Sequence, residues 1–259
     1  MKQIALEAVD LAKSYVADGV QTHVLGNINL KIYKGDFTSV MGPSGSGKST
    51  LLYCLSGMDK PTAGDMLFCE KSIVRMKEQE LANLRAQHFG FVFQAANLVS
   101  NLTLFENIAV PGYLKEGRTP KKTLEAVENL IERMGLHDVA NHLPNQSSGG
   151  QQQRCAVARA VVNQPDIVFA DEPTGALNRA NSLEVLALLS EINATGQTIV
   201  MVTHDIRSAM RGNRILYLED GDVRGEFNLP PWDAQRSNDI SYTRDREAQA
   251  NAWLSSLSW

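Results

Sequence analysis

The sequence has few of the features that mark secreted, nucleic-acid-binding or membrane-spanning proteins. Only three of its 259 residues are cysteines, and Cys54, Cys69 and Cys155 form no Cys-x-x-Cys pair, which suits a reducing compartment. The formal net charge of -4 provides no basic surface, so we expect no nucleic acid partner. No apolar run reaches about 18 residues, and the charged N-terminus lacks the apolar core of a signal peptide. We therefore expect neither a direct membrane span nor secretion.

What the sequence does contain is an alternation of strand-like and helical segments. Hydrophobic residues make up 43% of the chain and charged residues 21%, which is ordinary for a globular protein. Short apolar runs recur between helical patterns: Ile28–Tyr33, Phe37–Met41, "GDMLFC", "FGFVFQ", "DIVFA", "QTIVMVT" and "RILYLE". Such alternation favours a mainly parallel sheet that helices cover on both faces. From Leu102 to about Ala140 the spacing is helical only, which predicts an inserted helical segment.

A glycine-rich segment, "GPSGSGKS" from Gly42 to Ser49, has the spacing G-x-x-x-x-G-K-[ST] between a predicted strand and a predicted helix. Glycines permit conformations in which consecutive amides point at phosphate oxygens. We expect Lys48 to reach the β- and γ-phosphates of a nucleotide and the Ser49 hydroxyl to hold Mg²⁺. The alternative is a glycine turn with a solvated lysine, which the flanking strand and helix disfavour. The nucleotide-binding residues predicted here are Gly42, Ser44, Gly45, Gly47, Lys48, Ser49 and Thr50.

Polar residues end several of the apolar runs. Asp171 and Glu172 follow "IVFA", where the first carboxylate suits the Mg²⁺ shell and the second suits orientation of an attacking water. His204 ends "IVMVT" and Gln94 ends "FGFVF", so we expect both near the γ-phosphate, with Gln94 able to reach the metal. Tyr15 is predicted to follow a first strand that lies near the N-terminus, ahead of the runs given above, and we expect it to stack on adenine. The alternative for Asp171 and Glu172 is a solvated acidic turn. The alternatives for His204 and Tyr15 are a structural histidine and an ordinary core or surface tyrosine.

A second glycine-rich segment, "SSGGQ" (Ser147–Gln151), opens a predicted helix. Backbone amides and the positive end of the dipole make such a helix start an anion site. Taken alone, the segment also fits a flexible glycine loop before a helix. A chain with two phosphate sites, roughly 100 residues apart in sequence, needs an explanation.

Together the motifs resemble those of ABC-transporter ATPase subunits, and they occur in the same order. They are Walker A (Gly42–Ser49), the Q-loop (Gln94), the signature (Ser147–Gln151), Walker B (Asp171 with Glu172) and the H-loop (His204). The resemblance covers roughly residues 4–227. The segments "FADEPTGALN" and "GPSGSGKSTLLYCLSGMDKPTAGD" look most similar to the branch of lipoprotein-release, macrolide-export and antimicrobial-peptide resistance ATPases.

The resemblance implies an α/β fold: a P-loop NTPase core with a mainly parallel sheet, an N-terminal antiparallel β portion and an inserted α-helical subdomain. It implies ATP and Mg²⁺ as ligands and a head-to-tail homodimer. In such dimers the signature of one subunit caps the γ-phosphate that the phosphate loop of the other subunit binds, which explains two phosphate sites per chain. The signature residues that would do so are Ser148, Gly149, Gly150 and Gln151.

Two residues depart from the family pattern. Ser147 stands where leucine is usual, and Asn178 stands where an aspartate is usual after Walker B. In related ATPases that aspartate lies at the dimer seam, beside both ATP sites, and links their states. Because the phosphate-contacting residues of the signature are kept, we expect an active ATPase with weakened coupling between its two sites.

The function that the resemblance implies is ATP hydrolysis at the cytoplasmic face of the membrane, driving a separate permease that exports or clears an antimicrobial peptide, lipoprotein or hydrophobic compound. The apolar residues Leu98, Val99 and Leu102 offer a groove for permease helices. An ATPase whose permease serves signalling or activates a cell-wall hydrolase is the open alternative. A soluble ABC ATPase of translation or DNA repair is disfavoured by the single nucleotide domain and the acidic balance. The signature and Glu172 together exclude a small-molecule kinase.

The last thirty residues shift to a polar loop and then a short amphipathic helix. Ala250, Trp253, Leu254 and Leu257 share one helical face, and Thr243 is a candidate cap for the helix start. We expect this face to dock on the C-terminal strands of its own chain or of a dimer partner; contact with membrane or permease, and disorder, are the alternatives. The predicted divisions are 1–94 for the N-terminal core, 95–160 for the signature subdomain, 161–228 for the C-terminal core and 229–259 for the tail.

Overall fold

The computed structural model describes residues 2–115, 117–237 and 239–257. The chain divides into two units: the first comprises Met1–Leu81 with Ser190–Trp259, and the second comprises Ala82–Leu189. The strands are β1 (Ile4–Ala17), β2 (Val20–Tyr33), β3 (Phe37–Met41), β4 (Ala63–Phe68), β5 (Lys71–Ser72), β6 (Phe89–Val92), β7 (Ile167–Asp171), β8 (Thr198–Val202), β9 (Arg214–Glu219) and β10 (Asp222–Asn228). The α-helices are α1 (Lys48–Leu55), α2 (Glu78–His88), α3 (Leu104–Leu114), α4 (Pro120–Arg133), α5 (Gly149–Val161), α6 (Arg179–Ala194), α7 (Ile206–Ala209) and α8 (Ile240–Ser256).

The parallel strands confirm the predicted α/β class. In the first unit β3 lies between β8 and β9 and runs parallel to both, while β10 is antiparallel to β9. In the second unit β6 and β7 are parallel neighbours. Every residue of β3, β7 and β8 is buried. Burial on both faces explains why these segments are apolar without the period-two alternation of half-exposed strands.

The N-terminal antiparallel sheet is also confirmed, with the order β2-β1-β4-β5 in the first unit. Asp18 and Gly19, both with positive φ, join β1 to β2. β2 begins at Val20, earlier than the predicted run Ile28–Tyr33, and its first four residues are exposed. Those residues are held by backbone pairing with β1, a contact that leaves no apolar pattern in the sequence.

Between β6 and β7 the described residues form helices and loops but no strand. This confirms the inserted helical segment. Thr103 caps α3 through a capping box with Glu106, and the Thr119 side chain caps α4 with Pro120 at its first turn. Val127, Leu130 and Ile131 are buried, so the helical spacing of this segment reflects a packed face. The proposed divisions at residues 94, 160 and 228 remain predictions.

The C-terminal helix α8 docks on its own chain, as one of the two predicted arrangements had it. Ala250 and Leu254 are fully buried in a cluster that also contains Met41, Ala209, Ile215, Tyr217 and Leu229. The Trp253 ring stacks on Phe227 with a centroid separation of 5.3 Å. Burial of this apolar face fixes the helix against the first unit. The last two tail residues, 258 and 259, lie outside the described residues.

The prediction that Thr243 caps this helix is wrong. Helix α8 begins at Ile240, and the Asp239 side chain accepts a hydrogen bond from the Tyr242 amide. Thr243 lies within the first turn, and its hydroxyl donates to the carbonyl of Asp239. Asp239 therefore gives the helix one extra turn, with a carboxylate at its positive end. No described helix is both long enough and apolar enough to cross a membrane.

Candidate nucleotide site

The phosphate loop connects β3 to α1 in the first unit, and close backbone packing requires its glycines. A Cβ atom on Gly42 would lie 1.9 Å from the carbonyl oxygen of Leu218. Gly47 is the residue before α1, has φ 98°, and would place a Cβ 2.9 Å from the Val24 carbonyl oxygen. Since side chains cannot occupy either position, the loop keeps its backbone amides unobstructed at a helix start.

The polar side chains of this loop fit a bound phosphate. The Lys48 Nζ is folded inward and donates to the carbonyls of Gly42 and Pro43 at 2.9 and 2.8 Å. The Ser46 hydroxyl is buried and has no hydrogen-bond partner among the described residues. It lies 2.8 Å from the position of a Cβ on Gly42, so it points into the loop. A buried ammonium and an unsatisfied buried hydroxyl suit an anionic ligand with several acceptor oxygens.

Tyr15 lies within β1, paired with Thr22, and not after the first strand as predicted. Its hydroxyl donates to Asp59 at 2.6 Å, and Lys13 Nζ lies 4.6 Å from its ring centroid. Burial and the Asp59 carboxylate raise the pKa of Tyr15, while a hydrogen bond with Thr50 acts in the opposite direction. Tyr15 is 43% exposed, and stacking of its ring on adenine stays a prediction.

His204 reaches the same sheet edge as the phosphate loop. Val40 of β3 pairs with Val202 of β8 in parallel, and Gly42 and His204 each follow two residues later. The Thr203 amide donates to the Val40 carbonyl at 3.1 Å, which continues the pairing past the strand. Carboxyl ends of parallel strands form such sites because their loops emerge together.

Asp171, Glu172 and Gln94 come together in the second unit. Ala170 of β7 pairs with Val92 of β6, so the residues that follow both strands share an edge. Asp171 is 8% exposed, and Glu172 has φ 46°, a conformation that non-glycine residues seldom adopt. The Gln94 Nε2 lies 2.9 Å from the position of a Cβ on Gly175, in the turn after Glu172. The pairing of β6 with β7 agrees with the shared edge expected from the strand ends, and the roles of the three residues stay predictions.

The signature segment forms a capped helix start in the second unit. The Ser148 hydroxyl accepts from the Gln151 amide at 3.2 Å, and the Gln151 side chain accepts from the Ser148 amide at 2.8 Å. A Cβ on Gly150 would lie 2.5 Å from Asn181 Cγ, so a side chain there would have to displace the Asn181 side chain. The amides of Gly149 and Gly150 begin α5, and a helix supplies no acceptor for its first amides. The arrangement fits an anion at an exposed helix start.

The two residues that depart from the family pattern have local partners. The Ser147 hydroxyl donates to the Leu143 carbonyl at 3.3 Å, a contact that leucine could not make. Asn178 Oδ1 accepts from the Asn181 amide at 3.0 Å, one turn into α6. Asn178 therefore caps a helix, a role that aspartate fills equally well.

Two residues of the site were not predicted. Ser46 occupies a variable position of the glycine motif, and nothing in the sequence shows that its hydroxyl is buried. Gln153 is buried to 1% exposure and donates to the carbonyls of Phe93 and Pro173, both at 2.8 Å. It follows two other glutamines in sequence, and composition cannot tell which of the three turns inward.

Comparison with known proteins agrees with this geometry. The family described as ABC transporter matches residues 25–175. The macrolide export ATP-binding/permease protein MacB of Pasteurella multocida is 42% identical over 223 residues, which are 86% of this chain and 34% of that protein. The corresponding protein of Acinetobacter baylyi is 38% identical over 92% of this chain and 36% of its own length. The chain thus spans about a third of the length of these curated relatives.

Solved structures give the same result. The ATP-binding cassette MJ0796, in a dimeric post-hydrolysis state bound to ADP and Pi, superposes with a TM-score of 0.81 and is 39% identical; the match covers 88% of this chain and 100% of that one. CbiO1 from Clostridium perfringens, part of the ABC transporter complex cbiONQ, has a TM-score of 0.77 and 28% identity over 88% of this chain and 89% of its own. This protein therefore belongs to the ABC transporter family, as an ATP-binding and ATP-hydrolysing domain.

Proposed function

We propose that this ATPase binds MgATP, dimerises head to tail with a second copy of itself and drives a separate transmembrane permease from the cytoplasmic face of the membrane. One observation carries the proposal. The chain has two helix starts whose different constructions each suit an anion: a closed glycine loop with buried Lys48, and an exposed helix start at Ser148 and Gly149. The dimeric state of the related cassette MJ0796 supports a site completed by a second chain.

The proposed roles follow from the chemistry of each side chain. Ser49, Gln94 and Asp171 offer the hydroxyl, amide and carboxylate oxygens that Mg²⁺ prefers. Mg²⁺, when bound, would neutralise charge on the β- and γ-phosphates. Lys48 and the loop amides stabilise phosphate charge, because they are fixed donors in a buried setting. Glu172 orients the attacking water and His204 contacts the γ-phosphate.

For the permease contact we propose the surface of Leu98, Val99 and Leu102. The Val99 side chain is 49% exposed, although its backbone is fixed by two hydrogen bonds with the Asn107 side chain at 2.8 and 3.1 Å. A rigid backbone that presents apolar side chains suits a docked helix. The MacB relatives are named for macrolide export, and we propose a hydrophobic compound, antimicrobial peptide or lipoprotein as the substrate, chosen by the permease.

Replacement of Glu172 tests the hydrolytic role. We expect Glu172→Gln to bind MgATP as the wild type does and to lose at least about 100-fold in turnover, because the amide cannot take up a proton from water. An ATP-bound dimer should accumulate, since closure precedes hydrolysis. Turnover, nucleotide binding and mass by light scattering with MgATP measure these effects. Glu191→Gln, an exposed change of the same charge on α6, is the matched control. Wild-type turnover in Glu172→Gln would refute the assignment.

A further inference from the structure

A single buried side chain holds both loops to which the hydrolytic roles are assigned. Gln153 lies on α5 and is only 1% exposed. Its Nε2 donates to the Phe93 carbonyl at 2.8 Å and to the Pro173 carbonyl at 2.8 Å. Phe93 immediately precedes Gln94, and Pro173 immediately follows Glu172. The two N–H groups of one side-chain amide thus bridge the ends of β6 and β7.

The two loops depend on such a contact because neither is regular structure at these carbonyls. Glu172 has φ 46°, and sparsely populated conformations persist only where neighbouring groups fix them. The Gly175 amide donates to the Glu172 carbonyl at 3.0 Å, which closes a tight turn directly after Glu172. Gln94 packs against Gly175 in that turn. Any displacement of Pro173 or Phe93 therefore moves the side chains of Glu172 and Gln94 relative to each other.

We propose that Gln153 is a positioning residue for ATP hydrolysis, setting the geometry between Gln94 and Glu172. The inference rests on the roles proposed above for those two residues. Gln153 also lies on the helix that Ser148 caps, about one turn further along. Because a helix moves as a rigid element, a displacement of the signature end is passed through Gln153 to both loops. Arg159, on the same helix, donates to the Ala96 and Asn97 carbonyls and extends this attachment beyond Gln94.

A second buried amide in the same unit, that of Asn163, serves as a control whose role is structural only. Asn163, two residues past α5, is also buried, and its Nδ2 donates to the carbonyls of Ala86 and Pro111 at 3.3 and 2.9 Å. Neither of those carbonyls adjoins a predicted site residue. Asn163→Leu and Gln153→Met therefore each remove a buried amide that bridges two carbonyls, and only the carbonyls that Gln153 bridges adjoin predicted site residues. Asn163→Leu also removes the acceptor of a hydrogen bond from Arg118 Nη1 at 3.1 Å, so it is the more demanding control for stability.

The test compares Gln153→Met, Asn163→Leu and the wild type. We expect Gln153→Met to lower kcat roughly 10- to 100-fold with little change in the KM for ATP, because misplaced groups affect the reaction more than ground-state binding. Amide hydrogen exchange should rise in residues 92–97 and 171–176 in this variant. Asn163→Leu should lose comparable thermal stability but keep kcat and the exchange of both segments within about twofold of the wild type.

Gln153→Glu keeps the shape of the side chain. It provides a second measurement in case Gln153→Met folds poorly. Burial against two carbonyl oxygens raises the pKa of the introduced carboxyl, and its neutral form can donate one hydrogen bond. The neutral form prevails below that raised pKa and is lost as pH rises through it. We therefore expect an intermediate kcat whose ratio to the wild-type value falls as pH increases. A wild-type kcat in either Gln153 variant would overturn the proposal.

Glu172→Gln, measured alongside, separates this inference from the proposed function. If Glu172→Gln is inactive while both Gln153 variants match the wild type, the positioning role alone is refuted. If Glu172→Gln retains full turnover, the assignment of Glu172 fails and the inference fails with it. Loss of kcat equal in Asn163→Leu and Gln153→Met would show a general stability effect and would also refute the positioning role.

Discussion

Among the individual residues, Asn178 has one observed contact and one predicted role. Its side chain accepts from the Asn181 amide at 3.0 Å and thereby caps α6, while the resemblance assigns the same position to coupling at the dimer seam. Aspartate caps a helix as well as asparagine does, and its charge interacts favourably with the helix start. The two tasks can therefore be separated by one substitution that preserves the cap and restores the carboxylate.

We expect Asn178→Asp to raise the cooperativity or turnover of the ATPase several-fold, because a charge-assisted contact replaces a neutral one at a gain on the order of 1 kcal/mol. Thermal stability should stay unchanged or rise slightly, since the cap is kept. The measurement is ATPase rate against ATP concentration for both proteins with the permease present. Asn178→Ser, which keeps a capping oxygen without the charge, is the control. Superimposable curves for the wild type and Asn178→Asp would mean that coupling runs through other residues.

Among the elements, α8 shows what a periodic pattern predicts and what it leaves open. The spacing of Ala250, Trp253, Leu254 and Leu257 correctly predicted the docked face, because burial follows the helical period. The predicted start of the helix was wrong, because Asp239 and Thr243 are both capping residue types and local contacts decide between them. The spacing also could not show Arg246, which is 3% exposed and donates to the carbonyls of Met210, Gly212 and Pro230. Polar residues that serve as internal braces do not follow hydrophobic periodicity.

We expect Arg246→Met to destabilise the protein by about 3 kcal/mol, since several buried carbonyls lose a charged donor at once. For a chain of this size the melting temperature should fall by roughly 5–10 °C, while MgATP binding at the phosphate loop is retained. Deletion of residues 240–259 should have a larger effect in the same direction. Arg244→Met, an exposed change on the same helix, should shift melting by less than about 2 °C. An unchanged melting curve in Arg246→Met would mean that α8 does not stabilise the fold.

Across the whole molecule, the sequence predicted the class of each sheet better than its extent. Buried parallel strands such as β3 and β8 stand out as apolar runs, whereas the exposed end of β1 and the exposed start of β2 depend on backbone pairing and were not predicted. Motif spacing predicted Asp171 and His204 at or just past the ends of buried strands, where the structure has them, because the carboxyl ends of parallel strands place their loops together. Their roles in the site stay predictions. Motif spacing did not predict the burial of Gln153, which depends on hydrogen bonds with segments 60 and 20 residues away in sequence.

Which chain completes each ATP site is a property of the whole assembly. The phosphate loop lies in the first unit and the signature helix in the second, and we expect the two to meet between different copies of the chain. Cys54 and Cys155 are buried and Cys69 is exposed, so Cys69→Ser leaves a background for single introduced cysteines. Chains carrying Ser44→Cys, mixed with chains carrying Ser148→Cys, should give a covalent dimer under oxidation only when MgATP is present. Either chain alone is the control.

The complementary measurement uses mixed dimers with Lys48→Ala in one chain and Ser148→Arg in the other. With sites shared between chains, both lesions fall in one site and the second stays intact, so one ATP per dimer remains tightly held. With sites confined to single chains, both would be damaged and neither would hold ATP normally. Homodimers of each variant supply the reference, because both of their sites carry a lesion under either arrangement. A cross-link that forms within one chain carrying both cysteines, and never between chains, would contradict the head-to-tail dimer.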